Sequence, residues 1–315
     1  MKFKQIISLL VFLLFSVLYF VDLSFSQSFN TEYIFYQIRI PTFFMAIISG
    51  SILSLTGLTY QYLFQNHLAS PYTLGMASAS AFGASLFVLI NSTLLTLPYI
   101  FQPILGMVFA ILTILLLYWF VSRNSFNGLS QVLLAGIALS LVFSSLIVFI
   151  QFIVGNRDGF ELMVSLLGNL SMVGYSVPIY STLCLIFLFS FLYKDLSRLR
   201  LFSVNRDYFN GQVKTSGLLF KKSIIIPSLA TAYIVTEVGP ISFVGLITPH
   251  IVRMSINPIG KSELYYNVLI GSTIMLVCDL LARRAFDSIE LPVGIFTSII
   301  GGVFLFSLLL KKQSN

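Results

Sequence analysis

Residues 131–154 read QVLLAGIALSLVFSSLIVFIQFIV. The run carries no charge, and about 20 apolar residues suffice to cross the hydrocarbon core of a bilayer as a helix, so it reads as a membrane span. Working outward, nine more runs obey the same rule, at about residues 6–21, 40–64, 72–95, 98–121, 177–194, 222–240, 241–256, 265–284 and 291–310. Of the 315 residues 57% are hydrophobic and 9% charged, whereas soluble domains carry roughly 25% charged residues. There is too little polar side chain to cover a water-facing surface, which excludes soluble enzymes and nucleic-acid binders. The expected fold is an all-α integral membrane protein of about ten transmembrane helices, organised as one transmembrane domain over 1–315. The first run follows Lys2 and Lys4 without a clear small-x-small cleavage site, so it reads as a retained helix rather than a signal peptide.

Charge then orients the bundle. With both termini in the cytoplasm, 14 of the 18 basic residues fall inside, leaving Arg39, Arg157, Arg283 and Arg284 outside beside six acids. An inside excess of Lys and Arg is the usual orienting signal. The longest connection, about 195–221, reads DLSRLRLFSVNRDYFNGQVKTSGLLFK. Leu196, Leu199 and Phe202 at helical spacing, then Asn210-Gly211, predict a short amphipathic helix, a turn and a second short helix. Such a segment either lies on the membrane surface or docks a protein. Outside, Asn156–Gly159 and Phe160–Leu170 read as a turn and a half-buried helix.

Within the spans, small residues at Ala46, Gly50 and Ser54, and at Gly75, Ala79 and Gly83, form stripes on which helices approach closely. Ser140, Ser144 and Gln151 share a face of the fifth span with Gly136. That face either lines a narrow translocation path or bonds a neighbouring helix. Two acids fall inside apolar runs, Glu237 and Asp279, and intramembrane acids are functional candidates by default. Asp279 precedes Arg283 by four residues, the order that suits a helical ion pair. Glu237 stands just before Gly239-Pro240, where the helix must end or kink; it either carries a proton or reaches the outer interface. His67 and His250 have no second ligand at metal spacing, and Cys184 and Cys278 are far apart in sequence, so no metal site is expected. No phosphate loop, nucleophile elbow or His-Glu-x-x-His helix occurs. No catalytic residue is assigned, and energy for active transport must come from an ion gradient or another subunit.

Several strings resemble one permease family. They are Arg39-Ile40-Pro41, the segment Gln65–Pro71 with Leu74-Gly75, Leu134–Leu139, Gly239–Arg253 (GPISFVGLITPHIVR), Asp279–Arg283 (DLLAR) and Glu290–Gly294 (ELPVG). Together they resemble the membrane subunit of the ABC importers for iron-siderophore, haem and cobalamin. The resemblance implies a type II ABC importer permease in the bacterial inner membrane. It implies a second permease subunit, identical or related, two ATPase subunits that hold the ATP and Mg, and a periplasmic or lipid-anchored substrate-binding protein. No cofactor is then expected on this chain itself. It further implies that outer arginines receive carboxylates of the binding protein, which singles out Arg39 and Arg283. Thr42 stands where the family's second arginine is usual, and Arg284 is a candidate substitute. The segment 195–221 corresponds to the family's coupling helices, with Leu199, Leu201, Arg206, Asn210 and Gly211 as candidate ATPase contacts. The expected activity is import of an iron chelate, most of all a ferric siderophore. The rival reading is an ion-coupled secondary transporter that uses Glu237 and Asp279.

Overall fold

The computed structural model describes residues 2–25, 31–93, 97–123, 129–204, 216–258, 260–286 and 290–313. Helices cover the ten expected runs. They are α1 (Lys2–Phe25), α2 (Ile40–Leu63), α3 (Met76–Thr93), α4 (Phe101–Arg123), α5 (Leu129–Val154), α7 (Ser176–Val204), α8 (Ser216–Val238), α9 (Val244–Ser255), α10 (Ser262–Arg284) and α11 (Val293–Gln313). Between α5 and α7 lies a shorter helix, α6 (Asn156–Leu166), where the sequence suggested a half-buried one. Among the described residues no strand is present.

α2 is the axis of the bundle: 72% of its most apolar window is buried, against 22% for α5 and for α7. In lipid the neighbouring tails are as apolar as Leu, so helices associate through close backbone contact and interhelical hydrogen bonds. α2 uses both. Gly50 lies so close to the Gly271 carbonyl of α10 that a Cβ there would collide with it, and Gly57 meets Gly245 of α9 in the same way. Along the same seam Ser51 and Ser272 hydroxyls are 3.0 Å apart, and the Ser54 hydroxyl donates to the Asn267 carbonyl at 2.7 Å. Thr56 donates to the Pro227 carbonyl of α8 at 3.4 Å, a proline whose ring leaves backbone groups in need of partners. One apolar cluster runs from Tyr19 of α1 through α2 to Val293 of α11.

Two expected boundaries moved. The third span begins at Met76 rather than about 72, because Gly75 has a left-handed backbone (φ +77°) and residues 64–75 form a turned connection. Gly75 therefore lies in a turn rather than in the helix, yet it still packs closely, against the Gly136 carbonyl of α5, and Gly83 packs against the α4 backbone at Leu105 and Gly106. The expected span 177–194 continues without a break to Val204. The first half of the presumed amphipathic segment is thus the end of a membrane helix, and its Leu196, Leu199 and Phe202 are buried in the core.

If the α2–α9 approach holds the bundle together, Gly57→Ala destabilises the detergent-solubilised protein by about 1–3 kcal/mol, the usual cost of overpacking. Gly302→Ala, at a position with nothing within 4 Å, leaves the unfolding midpoint unchanged or raises it. Equal midpoints for the two variants would contradict this packing.

Candidate docking and coupling sites

At one end of the bundle, the residues before α2 form a π-helical turn, Phe35–Arg39, a geometry that recurs at functional positions. The connection after α6 pins it: the Tyr175 hydroxyl donates to the Tyr36 carbonyl at 2.6 Å, and the Gly174 N–H to the Gln37 carbonyl at 2.8 Å. Arg39 is thereby aimed at Glu290, with Nη1 and Oε1 2.7 Å apart and side chains 23% and 45% exposed. The Ser171 hydroxyl donates to the other carboxylate oxygen at 3.3 Å. Ile34, Ile38, Met172 and Val173 complete a groove of about 320 Å³ beside this pair. An ion pair this open to water is worth only about 0–1 kcal/mol, so it can exchange partners.

Arg283 is different. Its side chain is only 8% exposed, its guanidinium is bonded to Asp279 and to the Tyr19 hydroxyl, and it stacks over the Tyr19 ring at 4.5 Å. The Tyr19 hydroxyl in turn donates to Asp279 at 2.9 Å. The i,i+4 pair read from the sequence is therefore present, and it clamps α1 to α10. The same burial removes Arg283 from the expected docking surface, since a guanidinium committed inside the protein cannot receive an incoming carboxylate. Arg284, by contrast, is exposed. Asp279, tied to Arg283, is also unsuited to carry ions, which takes away half of the acid pair that the rival carrier would need.

Glu237 ends α8 beside a cleft of about 790 Å³ between α3, α4, α6 and α8. On α5, Ser140 donates to the Gly136 carbonyl at 3.0 Å and to the Tyr72 carbonyl at 3.3 Å, so it bonds a neighbouring segment. Ser144 is exposed and Gln151 half-buried.

The opposite end holds a polar network that sequence reading missed. Glu263, at the start of α10, is 1% exposed. Both its oxygens lie near the Tyr62 hydroxyl, at 2.6 and 2.8 Å, and Oε2 is 3.6 Å from Nε of Arg200. Arg200 also donates to the Pro258 carbonyl at 3.4 Å. Arg253 bonds Gln61, whose amide donates to the Leu246 carbonyl at 3.1 Å. Gln65 donates to the Phe202 carbonyl at 3.2 Å. The last turns of α7 are thus fastened to the start of α10 and to the connections that follow α2 and α9. His67 and His250, expected to stand apart, meet edge-to-face with ring centres 6.2 Å apart. Burial, then the Arg253 charge, hold the His67 imidazole below its ordinary pKa. Among the described residues no three metal-ligating side chains come together.

Of the expected coupling contacts, Leu199 is fully buried and cannot touch a partner. Leu201 is 64% exposed. Arg206, Asn210 and Gly211 lie outside the described residues.

A solved structure described as a metal-chelate type ABC transporter in an inward-facing conformation matches this chain with a TM-score of 0.83 and 27% identity. The match covers 98% of this chain and 99% of that one. The fold is that of a type II ABC importer permease. The model of the FecCD transport family matches residues 6–311, and the chain belongs to that family. It is similar to the hemin transport system permease of Yersinia pestis, 26% identical over 94% of this chain and 90% of that protein. It is likewise similar to the petrobactin import system permease of Bacillus subtilis, 29% identical over 87% and 85%. It is a multi-pass membrane protein, the permease of an ABC transporter.

Removing one partner of the buried Asp279–Arg283 pair leaves the other uncompensated, at about 3–5 kcal/mol. Asp279→Asn and Arg283→Gln are therefore each expected to lower the unfolding midpoint steeply, while the double variant falls by much less than their sum. Additive losses would mean that the two side chains are not coupled.

Proposed function

We propose that this permease imports an iron chelate, a ferric siderophore above all, across the bacterial inner membrane. Two ATPase subunits bearing ATP and Mg drive it, and a periplasmic or lipid-anchored binding protein feeds it. The observation that carries the cargo reading is the near-complete match to a metal-chelate transporter, joined by relatives named for hemin and petrobactin. Relatives named for vitamin B12 and molybdate mark the competing cargoes. With both termini cytoplasmic, the Arg39 end faces outward and the Arg253 end faces the ATPases.

In this reading Arg39 exchanges Glu290 for a carboxylate of the binding protein, and Arg284 supplies a second contact. A fork-shaped guanidinium suits bidentate carboxylate capture. The exposed Leu201, with the segment that follows it, meets the ATPase, while the Glu263–Tyr62–Arg200 cluster ties that contact to the bundle. A second permease subunit covers the exposed α5 face, whose Ser144 and Gln151 border the path.

Radio-iron uptake from a loaded binding protein into proteoliposomes tests the reading. Uptake stops when the ATPase is inactivated and continues when the proton gradient is dissipated; the reverse pattern would establish the secondary carrier instead. Arg39→Glu and Arg284→Glu each weaken capture of the binding protein by about tenfold through like-charge repulsion. Leu201→Asp releases the ATPase without loss of folded protein, whereas Leu199→Asp lowers the yield of the permease itself.

A further inference from the structure

The cleft beside Glu237 is not used by docking, coupling or packing. Its volume of about 790 Å³ falls in the range of small-molecule sites. Glu237 is its one charged residue among the described lining residues, and its carboxylate makes no hydrogen bond or ion pair there. An ionised acid in a membrane segment costs about 2.5–3.5 kcal/mol on insertion scales, and among the described residues no cation offsets this one as Arg283 offsets Asp279.

The fold holds the cleft open. Gly239, with φ +78°, ends α8 two residues beyond the acid and sits against the Ser165 carbonyl of α6, while the Asn169 N–H ties α6's exit to the Val238 carbonyl at 2.8 Å. α6 therefore bridges the cleft rather than filling it. Exposed Tyr99 and Phe160 rings stand among its walls, and aromatic faces attract cations. Ser165 and Asn169 add neutral oxygens. A bare divalent ion requires six to eight oxygen ligands, usually with several carboxylates, and one carboxylate in so large a space does not supply them.

From this geometry we infer that the cleft is a binding site for an organic cation, an ammonium-bearing molecule whose charged group pairs with Glu237. Ser171 lines both this cleft and the Arg39–Glu290 groove, so the site opens beside the proposed docking surface. Resting on the proposed import of iron chelates, the inference narrows the cargo to chelates that carry a free amine. A free organic amine is the other source of the same chemistry.

The assembled transporter in lipid nanodiscs is titrated with dansylcadaverine, a fluorescent primary amine, and with its neutral N-acetyl derivative, after subtraction of binding to empty nanodiscs. The amine binds at least about tenfold more tightly than the acetylated form, as a charge-assisted hydrogen bond provides. Glu237→Gln erases the preference while Glu237→Asp keeps it. Equal binding of the two probes, or a preference that survives Glu237→Gln in protein of unchanged unfolding midpoint, overturns the site. Uptake of a radio-iron trihydroxamate bearing a terminal ammonium, compared with its acetylated form, identifies the source. Preference for the charged chelate, lost in Glu237→Gln, makes the cleft a cargo site. Indifference to that charge, with the dansylcadaverine preference intact, assigns it to a free amine. Absence of any iron uptake with that preference intact refutes iron import and leaves the site standing.

Discussion

The bundle depends on how closely the backbone of α2 approaches its neighbours. Glycine at 50 and 57 removes the side chain at two successive contacts, with α10 and α9, and dispersion between close backbones takes over the role that hydrophobic burial plays in water. The serines and threonines interleaved with those glycines then bond across the gap. Because α2 also supplies Gln61 and Tyr62 at one end and follows directly on Arg39 at the other, the tightest seam of the protein joins both of its polar ends.

The polar clusters at those ends are built on opposite principles. The Arg39–Glu290 pair is half open to water, worth little as a stabiliser, and free to change partners. Glu263 and the Asp279–Arg283 pair are buried with multiple hydrogen-bond partners, and such arrangements specify geometry more than they add stability. One surface is made for exchange and the others for fixation. The sequence does not distinguish them, since each is an acid and a base near the end of an apolar run.

The ten spans were legible because a bilayer imposes a length and a polarity that composition alone reveals. The pair Asp279–Arg283 was legible too, since i,i+4 spacing within one helix is a local rule. Its burial was not, because that depends on Tyr19, which arrives from α1 about 260 residues away. The same limit hid the Glu263 cluster, assembled from four helices. It also misread residues 195–204: the spacing of Leu196, Leu199 and Phe202 correctly indicated a buried face, but burial against the bundle and burial in a lipid surface or partner leave the same pattern. Gly75 makes the close contact its small size suggested, against Gly136, but from a turn, because a four-residue repeat is indifferent to whether its first member is helical.

α7 spans 29 residues with no glycine and no proline beyond its first turn, about 43 Å at 1.5 Å per residue, while the hydrocarbon layer is only about 30 Å thick. Roughly a third of its length therefore exceeds the lipid, and near its end Arg200 and Phe202 fasten it to neighbouring segments. With no joint along the way, a sideways push at this end is passed into the buried part and into the segments fastened there, where a hinged connector would have absorbed it.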